Sequence, residues 1–363
     1  MSGAGYRVAV VGATGAVGEV ILTLLTERGF PVSEVVPFAS ERSAGHTLDG
    51  PPGSPPLTVR ALAPAMVHGF DVALFSAGSD VSREWAPRFA AAGAVVIDNS
   101  SCWRMDAEVP LVVPEVNPAD IETHSGIVAN PNCSTMQMVL VLAPLHEVAT
   151  LERIVVSTYQ STSGTGVRAV QELQAQAHAV LHEVAPPAAQ VYPHRIAFNV
   201  LPQVESFADG DDYTTEERKM MAETRKIMGL DDLRISATCA RVPVVVGHSE
   251  SVNVQTRGGL SPQRAREVLS AAPGVRVIDD PAAGRYPLAL EAAGQDDVLV
   301  GRIRGDPSQE RTLNMWIVGD NLRKGAALNA VQLAELLHER GLIGASSGST
   351  RPGHAPGRAP SGV

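Results

Sequence analysis

Tyr6-Arg7-Val8-Ala9-Val10-Val11-Gly12-Ala13-Thr14-Gly15-Ala16-Val17-Gly18 decides how the rest of the chain folds. Residues 7–11 form a short apolar run of strand type. Val17, Val20, Ile21, Leu24 and Leu25 then recur at helical spacing until Gly29 closes the helix. Glycines between a strand and a helix let the backbone turn tightly and approach a pyrophosphate, whose charge is stabilised by the free N–H groups at the helix start. The spacing is GxxGxxG, a variant of the usual GxGxxG, and it makes Gly12, Thr14, Gly15, Ala16 and Val17 candidate dinucleotide contacts. Without a ligand the same residues would make a glycine-rich corner.

Working outward, residues 35–38, 71–75 and 94–97 are further apolar strands, with a helix expected at 85–92. Buried β-rich runs separated by helices imply an α/β fold with a parallel, doubly wound sheet of Rossmann type. The proline- and glycine-rich segment 49–56 is expected to be a loop. Past the second strand stand Ser40-Glu41-Arg42-Ser43. An arginine flanked by hydroxyls (Ser40, Arg42, Ser43) suits a ribose 2′-phosphate and favours NADP, while Glu41 could bond a free ribose hydroxyl and keeps NAD open.

After Cys133 the pattern changes. Residues 136–142 read as helix, with Pro144 expected to kink it or lie close to its end. Residues 154–159, 235–246, 252–256, 298–304 and 312–318 read as strands, dense enough for a mixed or antiparallel sheet in a second, α+β domain. Helices are expected at 170–184, whose apolar stripe needs a partner, at 215–228 and at 324–340. Thr214 and Glu217 form a capping-box pattern. The expected partition is a dinucleotide-binding domain at 1–133 completed by the C-terminal helix 324–341, a catalytic and dimerisation domain at 134–323, and a disordered tail at 344–363.

The length of 363 residues fits two domains, since single cores stop growing at about 250–300 residues. The net charge of −10 disfavours nucleic acid and anionic membrane as partners but leaves room for small anions held by a few placed arginines. No apolar run is long enough for a membrane span, and the N-terminus does not resemble a signal peptide. The cysteines, Cys102, Cys133 and Cys239, lack disulfide or metal spacing, so no metal site is expected and a reducing cytoplasm fits.

One thiol has a setting for reactivity. Asn130-Pro131-Asn132-Cys133-Ser134-Thr135 joins a strand at 126–129 to an apolar helix, and a cysteine at a helix N-terminus has its thiolate stabilised by the dipole. Cys239 reads as core. Arg241-Val242-Pro243-Val244-Val245-Val246-Gly247-His248-Ser249 reads as a strand with Arg241 near its start and His248 delivered at the turn.

Taken together, these blocks resemble the aspartate-semialdehyde dehydrogenase family. The resemblance is carried by VAVVGATGAVG, by Asp98-Asn99-Ser100-Ser101-Cys102-Trp103-Arg104, by NPNCST, and by Tyr159-Gln160 followed by Ser163-Gly164. It continues through Asp212-Tyr213-Thr214 leading to Glu216 and Lys219, the RVPV…GHS segment, and Asp320-Asn321-Leu322-Arg323-Lys324-Gly325-Ala326-Ala327. They span about residues 6 to 341 in the family's order. The resemblance implies Cys133 as acyl-thioester nucleophile, His248 as acid–base group and Gln160 orienting the substrate. It implies Arg241 on the substrate's α-carboxylate, Glu216 on its amine, and Arg104, Asn132 and Lys219 on phosphate or acyl phosphate. Ser163, Gly164 and Asn321 would line the cofactor, and the second domain would form a homodimer.

Simpler readings stand beside several of these. Glu216 and Lys219 at i,i+3 would also make an exposed helix pair, Arg104 a surface residue, and the 170–184 stripe internal packing. Ser161-Thr162 departs from the small apolar residues common after the family's glutamine. The resemblance implies reversible NADPH-dependent reduction of L-4-aspartyl phosphate, in lysine, diaminopimelate, threonine, methionine and isoleucine biosynthesis. N-acetyl-γ-glutamyl-phosphate reductase is the neighbouring chemistry, and a non-catalytic dinucleotide-binding relative the alternative of another class.

Overall fold

The computed structural model describes residues 5–50, 55–207 and 209–344. The expected tail at 344–363 lies outside them beyond Gly344, as does the middle of the 49–56 loop.

The first half alternates strand and helix: β1 (Tyr6–Val11), α1 (Ala16–Glu27), β2 (Val32–Ala39), the two-residue strands β3 (Thr47–Leu48), β4 (Leu57–Thr58) and β5 (Arg60–Ala61), then β6 (Val72–Phe75), α2 (Ser79–Ala91), β7 (Val95–Asp98) and β8 (Ile127–Ala129). Six of these strands form a sheet in the order β5-β2-β1-β6-β7-β8, every neighbour parallel. Alternate residues of β1 explain why it lies in the middle. Val8 and Val10 face one layer with Ile21 and Leu24 of α1, while Ala9 and Val11 face the other with Phe89 of α2. All four are completely or almost completely buried.

The second half contains α3 (Cys133–Ala149), β9 (Leu151–Gln160), α4 (Val167–Leu181), α5 (Thr215–Met228), β10 (Arg234–Arg241), β11 (His248–Thr256), α6 (Pro262–Ser270), β12 (Val275–Val277), the short α7 (Ala289–Ala292), β13 (Val298–Gly305), β14 (Thr312–Gly319) and α8 (Leu328–Glu339). Its sheet runs β10-β9-β11-β14-β13-β12 and is mixed: β10 is parallel to β9 and β12 to β13, with the other pairs antiparallel. One face packs on α3, α5 and α6 through Met138, Leu142, Ile154, Val156, Met220, Val252 and Leu269. On the other face Tyr159 and Trp316 lie with ring centroids 5.3 Å apart, both partly exposed. The reading of a doubly wound parallel sheet followed by an α+β domain with a mixed sheet thus matches the architecture.

Three local expectations change. Pro144 does not end its helix, because α3 continues five residues beyond it while buried on every side from Ser134 to Leu142; packing outweighs the missing backbone bond. The 235–246 strand stops at Arg241. Pro243 has no N–H, and the carbonyls of Val244 and Val245 instead accept the N–H groups of Thr162 and Ser163 at 2.8 and 3.1 Å. The 324–340 helix begins with a wider π turn, Arg323–Ala327, before α8 proper. Leu328, Val331, Leu333 and Leu337 of α8 then enter the same core as Val8, Val10 and α1. The expected helix at 215–228 is present, with both arms of the Thr214–Glu217 capping box.

Candidate active site

Strand direction gathers the site. Gln160 and Arg241 are the last residues of β9 and β10 and are paired in register. His248 is the first residue of antiparallel β11, opposite Gly319 at the end of β14, and Asn321 follows two residues later. All four therefore leave the mixed sheet at one edge. Cys133 reaches the same edge as the first residue of α3. A cavity of about 710 Å³ opens there, lined by Arg104, Asn132, Cys133, Gln160, Ser163, Gly164, Glu216, Lys219, Arg241, Asn321 and, from α1, Val17.

Asn132 caps α3: its Oδ1 accepts the N–H groups of Ser134 and Thr135 at 3.0 and 3.1 Å, typically worth about 1 kcal/mol. Its Nδ2 donates to both oxygens of Glu216, at 3.0 and 3.1 Å, and Gln160 Nε2 donates to Glu216 Oε1 at 2.9 Å. Glu216 is buried, not half of an exposed helix pair; Lys219 turns instead to Glu205, at 2.5 and 2.6 Å from its two oxygens. Arg104 is also buried. Its Nη1 bonds Glu223 at 3.0 Å, its Nε the Asn130 carbonyl at 2.9 Å and its Nη2 the Asn99 carbonyl at 2.7 Å. Glu223 Oε2 in turn accepts the Asn132 N–H at 2.7 Å, so the Arg104–Glu223 pair braces the turn that carries Cys133. Glu223 was missed in the sequence reading, although it lies seven residues beyond Glu216 on the same face of α5.

The thiol differs from the sequence expectation. Cys133 is partly accessible, yet burial, and next the Glu216 carboxylate, push its pKa up to about 12; Arg241, Arg104 and the Ser134 N–H oppose this without overcoming it. The helix start alone does not make a thiolate here, because loss of solvent and a like charge outweigh a partial dipole. His248 is completely buried, and burial together with the Arg241 guanidinium holds it well below the ordinary imidazole range, so it is neutral near pH 7. It does not line the cavity directly but stands behind Gly164, where a Cβ would come within 3.1 Å of its Nε2. Arg241 Nη1 donates to the Ser161 carbonyl at 2.7 Å, while its buried Nε has no partner among the described residues. Asn321 is buried and holds loops together, its Oδ1 accepting the Gly247 N–H at 2.9 Å. Of the other two cysteines, Cys239 is buried in the second core, as expected, and Cys102 is partly exposed outside the cavity lining.

The glycine turn has the form a dinucleotide pyrophosphate needs. Gly12 has φ +90°, and a Cβ there would meet the Ser76 carbonyl oxygen at 2.2 Å; one on Gly18 would meet Gly12 O at 2.3 Å. The α1 N-terminus at Gly15 and Ala16 has no side-chain cap, and the Gly15 N–H bonds back to the Gly12 carbonyl at 3.0 Å across the turn where Thr14 also sits. Ser40 and Arg42 are exposed and Ser43 partly so, around the short turn Glu41–Ser43 that follows β2. They lie beyond the cavity that joins Val17 to Cys133. Among the described residues no group of three or more His, Cys, Asp or Glu could hold a metal ion, and no helix is long and apolar enough to cross a membrane.

With this geometry in place, the chain matches two family models: the semialdehyde dehydrogenase NAD binding domain over residues 7–124 and the semialdehyde dehydrogenase dimerisation domain over residues 142–324. An aspartate-semialdehyde dehydrogenase of Aquifex aeolicus is 55% identical over 342 residues, 93% of this chain and 100% of the relative. One of Bacillus subtilis is 46% identical over 350 residues, 94% and 100% of the two chains. The crystal structure of a Vibrio cholerae aspartate semialdehyde dehydrogenase II complexed with ASA superposes with a TM-score of 0.87 at 44% identity, covering 92% of this chain and 98% of that one. A Candida albicans aspartate semialdehyde dehydrogenase with NADP does so with a TM-score of 0.72 at 25% identity, covering 93% and 100%.

Proposed function

Because the chain belongs to the aspartate-semialdehyde dehydrogenase family, we propose that it interconverts L-4-aspartyl phosphate and L-aspartate 4-semialdehyde with phosphate and NADP, through a thioester on Cys133. The observation that carries this reading is the arrival of Cys133, Gln160, Arg241 and His248 at one edge of the mixed sheet, around a cavity that extends to the glycine turn. In the cell the reaction would run toward the semialdehyde, as a step toward lysine, diaminopimelate, threonine, methionine and isoleucine, in the cytoplasm. Residues 1–133 with 324–341 would serve the cofactor, and 134–323 catalysis and homodimerisation. The similarity of residues 142–324 to a dimerisation domain supports a homodimer.

A neutral thiol needs a proton acceptor when it attacks, and the neutral imidazole of His248 is suited to that task. Sulfur adds to the aldehyde carbon while its proton passes to His248. The proton is returned to the oxygen, and His248 removes it again as the tetrahedral adduct becomes the thioester. A nicotinamide dinucleotide bound at the glycine turn supplies the hydride acceptor for that oxidation. The Cys133 N–H, at the start of α3 and not taken up by the Asn132 cap, would stabilise the oxyanion. Arg241 holds the substrate carboxylate and Glu216 the amine, with Gln160 fixing Glu216 from the side. Lys219 and Arg104 draw phosphate toward the thioester, and Asn132 orients the acyl group. Ser163, Gly164 and Asn321 would line the site of the cofactor, whose nicotinamide would accept the hydride.

The test is reduction of NADP⁺, with NAD⁺ in parallel, by L-aspartate semialdehyde with and without phosphate. Phosphate-dependent turnover that Cys133→Ala abolishes without unfolding the protein supports the reading. A wild-type chain that binds dinucleotide but is inert toward this aldehyde and its glutamate homologue overturns it.

A further inference from the structure

The apolar stripe along 170–184, for which the sequence names no partner, closes on a segment of the same chain. Leu173 of α4 packs with Ile196, Ala197 and Leu201 in a small core of their own. Residues 190–197 belong to neither helix nor strand, so their backbone N–H groups have no ladder to join. Two side chains of α4 take them instead. Glu172 Oε2 accepts the N–H groups of Gln190 and Val191 at 2.7 and 2.8 Å, and Gln176 Oε1 those of Ile196 and Ala197 at 3.1 and 3.3 Å. Positions 172 and 176 lie one above the other on the helix, so the segment is clipped at both ends to a single face of α4.

Between the two clips the segment carries Tyr192 into the wall of the cavity, beside Val191 and Pro193. The Tyr192 hydroxyl donates to Thr165 Oγ1 at 3.1 Å, and its ring faces Arg241, whose guanidinium carbon is 5.9 Å from the ring centroid. The faces of a guanidinium are weakly hydrated and its N–H groups point outward in the plane. An aromatic ring on one face therefore attracts the cation without using up a donor. Arg241 Nη1 is fixed by the Ser161 carbonyl at 2.7 Å, while the buried Nε has no partner among the described residues. Ring and carbonyl together hold the guanidinium plane in one orientation, with its Nε edge left for a planar, bidentate anion.

We propose that Tyr192 is a positioning residue for the substrate's α-carboxylate: held in place by Glu172 and Gln176, its ring orients the Arg241 guanidinium so that the open edge meets the carboxylate. The inference deepens the proposed function and rests on Arg241 as the carboxylate site. It gives α4 a task in recognition, although no residue of that helix lines the cavity. Glu216, assigned to the amine, is anchored separately by Asn132 and Gln160, so the two polar ends of the substrate are recognised by independent sets of contacts. An aldehyde that lacks the α-carboxylate gains nothing from the Tyr192–Arg241 arrangement. Tyr192 thus favours an α-amino acid aldehyde over the plain amino aldehyde.

The experiment compares L-aspartate semialdehyde with 3-aminopropanal, the same aldehyde without its α-carboxylate, in wild type, Tyr192→Ala, Tyr192→Phe and Glu172→Ala. Tyr192→Ala should raise KM for the semialdehyde about tenfold, with kcat changed by no more than about twofold and KM for 3-aminopropanal nearly unchanged. Tyr192→Phe retains the ring and should recover most of that loss. Glu172→Ala releases the segment and should raise the same KM in the same direction. Equal changes for both aldehydes, or a loss confined to kcat, would overturn the proposal. Calorimetric binding of L-aspartate and of β-alanine, which differ by the same carboxylate, reads the site without turnover. A wild type inert toward the aldehyde that still prefers L-aspartate, with the preference lost in Tyr192→Ala, would overturn the proposed function and uphold this assignment. An inert wild type without that preference would overturn both.

Discussion

Gln160 Nε2 donates to Glu216 Oε1 at 2.9 Å, joining the last residue of β9 to the second residue of α5 inside the cavity that holds Cys133. The same carboxylate takes both Asn132 contacts, so one negative charge organises the nucleophile's turn and raises the nucleophile's pKa.

Glu216→Gln retains the shape and removes the charge. The Cys133 pKa should fall from about 12, and alkylation by iodoacetamide at pH 8, followed by mass spectrometry, should speed up by up to about tenfold. Turnover should fall in the same variant, because the substrate amine loses its counter-charge. An unchanged labelling rate would mean that burial alone sets the thiol.

Arg104 and Glu223 are both buried and ion-paired at 3.0 Å. Glu223→Ala leaves a buried guanidinium without its counter-charge and should cost about 3–5 kcal/mol in urea unfolding. Adding Arg104→Ala should recover part of that loss, since the two residues form one pair. Strictly additive losses would refute the coupling.

Glu250 is completely buried, and burial holds its carboxyl well above the ordinary range. The folded chain therefore binds a proton that the unfolded chain releases above about pH 4.5. Its contribution to stability is fully present below that value and is lost as pH rises toward the folded pKa. Glu250→Gln should thus raise Tm little at pH 5 and progressively more toward pH 9. A gain that is largest at acid pH would reverse the sign and reject the assignment.

Arg42 is exposed just past β2, the position suited to a ribose 2′-phosphate. Arg42→Ala should raise KM for NADP⁺ about tenfold and leave that for NAD⁺ nearly unchanged. Equal effects on both cofactors would place the 2′-phosphate elsewhere.

Elements defined by local pattern were legible before the structure. The Gly12–Gly18 turn, α1, the parallel strands and the Thr214–Glu217 cap follow from side-chain spacing and from backbone conformations that few residues accept. The end of the 235–246 strand and the extent of the helix past residue 142 were not legible because what decides them is remote: Thr162 and Ser163 take the Val244 and Val245 carbonyls, and two layers of core enclose α3.

By itself the sequence determined a strand–turn–helix start that only glycine permits, a cysteine at the start of an apolar helix, and the residue types for acyl transfer. Those are properties of neighbours along the chain, where steric exclusion and hydrogen-bonding capacity act over a few residues. Only the tertiary structure decided that Glu216 meets Gln160 and Asn132, that Glu223 neutralises Arg104, that the thiol is pushed up to about 12, and that Ser161 reaches both His248 and Asn321. Burial and charge depend on what lies across the cleft, and residues 161 and 321 become neighbours only when β9, β11 and β14 lie side by side.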